Sequence, residues 1–476
     1  MSAPLKHVAI LGAGVCGLAA ALELLRSGAA ERVTILEADE RPGGMARTVY
    51  DPSGLKSDLG PHRIHTEFPE IDKLLRELAD KELYWVDRRS AMHVEGQWVD
   101  YPFSVGGVLR LFGPLEFLRM GLSAVWAKLT GLFGGRPVNF EEHMRRHFGA
   151  RVYGRVLAPY SEKVWKTPPA EISATAAEVR VSAGSLTKMA RRILSGGREK
   201  AGEETALRRF RYLKGGVESL VRRLAERVTA VGGEIRCDCR VERLICKGDG
   251  AWQVHHTQGE IGANAVISTI PVTHLPGLLR GDGFPTPPKE SVEALVYLEI
   301  VLVFLVIERA QVSENHWLYF PDADICFNRG YEPSRFSDDP EKPPNQTLLC
   351  LEITARPNSA LLKSTDEDLR VLVRRDLART GLVKEEEVGK SFVVRLPFGY
   401  PLYDRHADEN LARVLDCLRR WPGLVTTGRQ GIFSHNNMDH SMHMGIEAAR
   451  ALAAGAEGQA RWYDGVEGLR HFRIVD

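Results

Sequence analysis

The chain is short of paired cysteines, of net charge and of long apolar runs, and each shortage excludes a class of protein. Its seven cysteines (Cys16, Cys237, Cys239, Cys246, Cys326, Cys350, Cys417) are odd in number and scattered, with no CxxC pair and no Cys/His metal spacing. That argues against a disulfide scaffold and a zinc ribbon, and fits free thiols in a reducing cytoplasm. A cytoplasmic protein without a metal is therefore expected, and the short polar start shows no leader pattern. Lys and Arg number 63 against 62 Asp and Glu, a net charge of +1. Such a balance gives no broad field for nucleic acid, so a nucleic-acid partner is not expected. Residues 296–307 are apolar but too short to cross a ~30 Å hydrocarbon core, and they enclose Glu299, so they read as a long buried strand. Residues 105–135 carry Leu, Phe and Trp interrupted by Arg110, Arg119 and Lys128. They read as one or two amphipathic helices lining the core or a cleft, with contact to a membrane surface as the alternative. An integral membrane protein is not expected.

What is present starts at residue 7: an apolar run to residue 11, then GAGVCG, then an Ala/Leu-rich helix to about residue 27 that Gly28 ends. Residues 33–36 form a second apolar strand, closed by Glu37. Strand, glycine turn, helix, strand and terminal acid make the spacing of a dinucleotide site specific. Gly12 permits the tight turn, Gly14 lets the backbone approach a pyrophosphate, and Gly17 lets the helix pack on the sheet. The first helical turn, Val15 and Cys16, offers free N–H groups to the anion. Glu37, 20 residues after Gly17, can bind ribose hydroxyls and disfavours a 2′-phosphate. After Glu37 and Ala38, a second glycine pair follows in RPGGMART: Gly43, Gly44, Met45, Ala46 and Arg47. A longer dinucleotide with a buried isoalloxazine can use such a second close approach, which points to FAD.

Further along, residues 76–200 read as mostly helical, and residues 195–205 as an exposed polar loop. A helix is expected over 217–231 and a strand over 234–239, on which Cys237 and Cys239 would face one side as core thiols. Strands follow over 251–256, 265–270, 391–396 and 424–427, and helices near 367–380 and 439–454. There are no internal repeats.

The pattern GAGVCGLAAALEL…VTILEADERPGGMART resembles the flavoprotein group of amine oxidases, protoporphyrinogen oxidase, phytoene desaturases and UDP-galactopyranose mutase, whose fold the Rab escort and GDP-dissociation-inhibitor proteins share. The resemblance extends over 208–275, through FRYLKGGVESLVRRLAERVTAVGGEIRCDCRVERL, where Val241 would lie by the adenine, and ANAVISTIPVTHL, and to GRQGIFSHNNMDHSMHMGIEAARAL. It implies an α/β fold: a discontinuous Rossmann-like FAD-binding domain of residues 1–75, 206–285 and 395–476, with a mixed α+β substrate or cap domain of residues 76–205 and 286–394. Covalent members attach flavin through a late Cys; none lies between 418 and 476, so FAD is expected to be non-covalent.

Five motifs resemble the mutase and its oxidoreductase-like relatives most. GPHRIHT resembles GPHIFHT and sets Gly60, Pro61 and His62 by the flavin, His62 being the candidate catalytic base. KVWKTPPAEISATAAEVR supplies Trp165 and Arg180 as substrate contacts, CFNRGYE supplies Arg329, and YPLYD, similar to YPVND, supplies Tyr400. The closing segment supplies Gly428, Arg429, Asn437, Met438 and Asp439 around the flavin. Two arginines with a tyrosine suit a diphosphate or carboxylate. The strand over 296–309 departs from the mutase, lacking its Arg, while HWLYFPD resembles the oxidoreductase-like relatives. The expectation is an FAD-dependent oxidoreductase passing hydride from a polar, anionic or sugar-like small molecule to flavin N5. The alternatives are a sugar-nucleotide mutase using reduced flavin N5 as nucleophile, with a nucleotide-sugar substrate, and a GDP-dissociation-inhibitor-like binding protein.

Overall fold

A computed structural model describes residues 4–131, 135–180, 209–248, 250–337 and 342–472. Apolar four-residue strands buried on both faces are the signature of a parallel sheet covered on each side, and the N-terminal strands Val8–Leu11 and Val33–Leu36 are buried throughout. They pair in parallel, Val8 with Val33. The sheet has five strands in the order Leu424–Thr426, Ala265–Ser268, Val8–Leu11, Val33–Leu36, Glu234–Arg236. The helix Val15–Arg26 covers it, capped at Ser27 and followed by Gly28 at φ +68°. Against it lies the helix Met438–Ala453, so close that a Cβ on Gly445 would fall 2.2 Å from the Cys16 carbonyl oxygen.

The second sheet has seven strands, of which the long Tyr297–Ile307 lies antiparallel between the edge strand Val388–Pro401 and Thr347–Ala355. Every residue of that long strand is buried except Glu299, which is half-buried, as the apolar run implied. The helix Asp366–Arg379 packs Leu369, Val373 and Leu377 on one of its faces. Strand Val388–Pro401 runs across residue 395, where the sequence set a domain boundary.

Three expectations change. The stretch 76–200 also contains the strands Leu83–Asp87, Ser90–Val94 and Gln97–Asp100, the last two an edge hairpin of the seven-stranded sheet. The strand at 234 stops at Arg236 because Asp238 turns to φ +53°, which leaves Cys239 buried and Cys237 half-buried, not side by side in a core. The helix Val105–Gly131, broken at Gly113–Pro114, packs by one face only, and its outer face is open to solvent. Among the described residues no helix is long and apolar enough to cross a membrane.

Candidate active site

The glycine turn is held by backbone contacts that a side chain would break. A Cβ on Gly17 would sit 2.1 Å from the Gly12 carbonyl oxygen, so only glycine lets the helix rest on the turn. Gly43 N donates to the Ala13 carbonyl at 3.0 Å, and Gly14 bridges Gly43, which seats the second glycine pair on the first. At Gly14 the situation reverses: no described atom lies within 4 Å of where its Cβ would be. This bare backbone beside a helix N-terminus is the geometry a pyrophosphate needs.

Glu37 is 8% exposed and oriented by two backbone donors, Ala13 N to Oε2 at 2.8 Å and Asp39 N to Oε1 at 3.0 Å. Each oxygen keeps a lone pair for a ribose hydroxyl. Ala38 is exposed beside it, and the Glu37 carbonyl accepts from Cys239 N at 2.7 Å. Val241, half-buried, opens the strand Val241–Cys246 opposite His256. Arg47 is held by the Gly44 carbonyl and Asp39, both at 2.8 Å. Ala46 is buried, and Met45 Sδ lies 3.1 Å from Gln430 Nε2. In the first helical turn, beside buried Val15, the Cys16 thiol is pushed up to about 12 by burial and stays protonated.

At the other end, Gly60 N donates to the Tyr331 hydroxyl at 3.0 Å, and His62 N returns to the Gly60 carbonyl across Pro61. Burial pushes His62 down to about 4, and the charges of Arg429 and Arg329 add to this. The ring is neutral at pH 7, and its Nδ1 has no partner among the described residues. Arg429, next to Gly428, binds the Gly399 carbonyl through Nη2 at 2.7 Å and the Asn436 carbonyl through Nη1 at 2.8 Å. The helix Met438–Ala453 starts beside these groups with Asn437 as its cap. Asp439, in its first turn, is 5% exposed and pushed up to about 6 by burial, with Oδ1 unpartnered among the described residues.

The substrate candidates converge in part. Arg329 forms a close ion pair with Glu352, whose side chain is 2% exposed, and donates to the Tyr400 hydroxyl at 3.1 Å. Tyr400 donates to the other Glu352 oxygen at 3.2 Å, and the Arg429 guanidinium lies 5.3 Å over its ring. Tyr400 stacks on His435 with centroids 4.9 Å apart, and Trp165 meets both rings edge-on. Trp165 is itself only 2% exposed, so it backs the cluster from within the core. The side chain of Arg180 lies outside the described residues. Glu352 and His435 were missed. A lone acid in the otherwise apolar TLLCLEITA was the available signal for Glu352. For His435 the sequence offers no signal beyond its nearness to His440 and His443. Elsewhere, Glu70, His443 and Glu447 bring ligand atoms within 4.8 Å of one another, but Arg450 already pairs with both carboxylates.

Residues 15–454 match the family model described as flavin containing amine oxidoreductase. The chain belongs to that family. Among curated relatives it is 24% identical over 333 residues to the protoporphyrinogen oxidase of Homo sapiens, covering 64% of this chain and 68% of that one. It is 22% identical over 463 residues to the coproporphyrinogen III oxidase of Staphylococcus aureus, covering 89% and 94%. A crystal structure of reduced UDP-galactopyranose mutase shares the fold at TM-score 0.81 and 24% identity over 98% of each chain. This flavin amine oxidoreductase is thus an FAD-dependent enzyme of α/β fold. Its residues fit the cofactor: the bare Gly14 backbone, oriented Glu37, and unpartnered polar atoms on His62 and Asp439.

Proposed function

We propose that this flavin amine oxidoreductase oxidises a polar, anionic or sugar-like small molecule by hydride transfer to flavin N5. The observation behind this reading is the Arg329–Glu352–Tyr400–Arg429 cluster. Two guanidiniums border the Tyr400 side chain, Arg329 paired with buried Glu352 and Arg429 over the ring, a cationic and hydroxyl-bearing lining suited to an anionic or sugar-like ligand. A diphosphate would call for more positive charge, since Arg329 is already engaged by Glu352; this favours oxidation over sugar-nucleotide rearrangement. The bound FAD, held without a covalent bond, supplies hydride acceptance. The protein's own groups do the rest. Arg329 and the Tyr400 hydroxyl orient the substrate, with Trp165 and His435 fixing the tyrosine ring. His62, kept neutral, offers an imidazole nitrogen to accept a hydrogen bond or a proton at the reacting carbon's heteroatom. Gly12 to Gly17, Glu37 and residues 43–47 hold the dinucleotide, while Gly60, Pro61, Arg429, Asn437, Met438 and Asp439 border the flavin. The division into a discontinuous FAD domain and a cap of residues 76–205 and 286–394 belongs to the same proposal.

The mutase reading is favoured by one observation, the Arg329–Tyr400 contact at 3.1 Å in a position suited to phosphate oxygens. Anaerobic titration separates the two. Candidate amines, hydroxy acids, polyols and nucleotide sugars are added to the oxidised holoenzyme while the visible flavin band is followed. Bleaching by an anionic or polyhydroxylated compound is the expected result. Turnover of a nucleotide sugar only after dithionite reduction, with no net electron transfer, would replace oxidation by rearrangement. A protein that cannot be loaded with FAD would refute both.

A further inference from the structure

The outer face of the helix Val105–Gly131 carries most of the large apolar side chains exposed among the described residues. Leu115, Leu118, Leu122, Val125, Trp126 and Leu129 are between 53% and 70% exposed. Their spacing of three and four places them on one stripe. The stripe begins just past the Gly113–Pro114 break and runs ~21 Å at ~1.5 Å per residue. The other face is anchored. Met120 is buried, and Leu111 and Phe112 pack on Met92, Val94, Val99 and Val156. A Cβ on Gly149 would meet the backbone at Ser123 and Ala124 within 2.7 Å. The helix is therefore fixed in place with its apolar face outward.

The exposed charges of this helix have one sign, and the two acids that border it near Trp126, Glu141 and Glu142, are each paired with an arginine, Arg145 and Arg146. Arg110, Arg119 and Lys128 are exposed on this helix, and Arg136 lies exposed beyond it. The helix has one acid, Glu116, whose side chain is 14% exposed and shared by Arg119 at 3.5 Å and Arg151 at 2.7 Å. We propose that this face docks on an anionic lipid surface. The leucines and Trp126 enter the headgroup boundary, and Arg110, Arg119 and Lys128 meet the phosphates. Charge selects the occupant. A second copy of the chain would set this basic rim against itself with no exposed acid on the helix to answer it, whereas an anionic bilayer supplies the missing sign. With a whole-chain charge of only +1, the positive excess is local to this face. The helix lies in the plane of the surface and does not cross it. This proposal does not depend on which reaction the flavin site performs.

The test is flotation of the FAD-loaded full chain with phosphatidylcholine vesicles, with and without added phosphatidylglycerol. Flotation with the anionic vesicles, weakened by salt, is expected. Leu122→Glu combined with Trp126→Glu should lower binding at least about tenfold, the replaced side chains being exposed and so dispensable for folding. The flavin absorbance and circular dichroism of that variant verify the fold. Lys128→Gln should lower binding about fivefold. Absence of flotation, equal flotation on neutral and anionic vesicles, or flotation indifferent to the double change would overturn the proposal. So would a dimer in light scattering that the double change dissolves, since the face would then belong to a second copy.

Discussion

At the nucleotide end of the site the working surface is backbone, whereas at the opposite end it is charged and aromatic side chains. Gly12 to Gly17 and Gly43–Gly44 interlock through main-chain contacts within the first fifty residues, and Glu37 is aimed by two amide donors. The other end joins Trp165, Arg329, Glu352, Tyr400, Arg429 and His435, which come from remote segments and depend on one another's charge and ring packing. The first kind of site should be the more sensitive to an added methyl group, the second to the loss of one charge.

The largest effect should come from acid. Burial pushes His62, His143, His316 and His440 down to about 4 from 6.5. Above pH 6.5 both folded and unfolded chains hold these rings neutral. As pH falls from there toward 4, the unfolded chain takes up protons that the folded one refuses, and stability drops. Asp439, raised to about 6 from 3.8, works in the opposite direction, as do Asp58 and Glu299, which burial also raises; His7, His65, His256, His274 and His443, lowered by burial, add to the four. The sum is a loss on the order of several kcal/mol, seen as a thermal midpoint that falls steadily over this range. A flat profile would mean that these rings are not held neutral.

Next is Glu352→Gln, which removes the buried charge that holds the half-buried Arg329 guanidinium and should cost roughly 3–5 kcal/mol in chemical denaturation. A cost under about 1 kcal/mol would class the pair with exposed ion pairs. Tyr400→Phe removes a hydroxyl bonded to both members of that pair and should cost about 1.5–3 kcal/mol of stability, together with weaker substrate saturation. Gly17→Ala drives a methyl group into the Gly12 carbonyl, with an expected loss of about 1–3 kcal/mol and of bound flavin. The smallest effect on stability, within about 0.5 kcal/mol, belongs to Gly14→Ala in the flavin-free protein. There the methyl group enters only the space left for the cofactor, and FAD affinity should still fall tenfold or more, about 1.4 kcal/mol. If Gly14→Ala unfolds the apoprotein instead, the bare turn serves packing and not the cofactor.

This contrast also explains what could be read in advance. Gly12, Gly14, Gly17, Glu37 and the glycine pair were legible because backbone geometry demands particular residues at fixed spacing. The parallel strands and the long apolar strand Tyr297–Ile307 followed from burial on both faces. Glu352 was not legible because its partners lie 23 and 48 residues away, and nothing local marks them. His435 gains meaning only from the Tyr400 ring it stacks on. The strands between residues 83 and 100 escaped because they are short and partly polar, and an edge hairpin takes its stability from the sheet it joins. The helix at 105–131 was recognised as amphipathic, but periodicity names a sticky face without naming its partner.

The order of the parallel sheet has a consequence for how the protein is made. Its central strand Val8–Leu11 emerges early from the ribosome, but a neighbour, Ala265–Ser268, comes more than two hundred residues later, and the strand beyond it, Leu424–Thr426, nearly at the end. The helix that closes over the glycine turn, Met438–Ala453, is later still. Pairings of such sequence separation form slowly and leave the unpaired strands open to misassociation meanwhile. The nascent chain therefore carries a finished glycine motif that cannot yet grip its cofactor, and flavin capture becomes the last event of biosynthesis. Flavin supply once those last elements are in place would then govern how much of the chain is held in its native state.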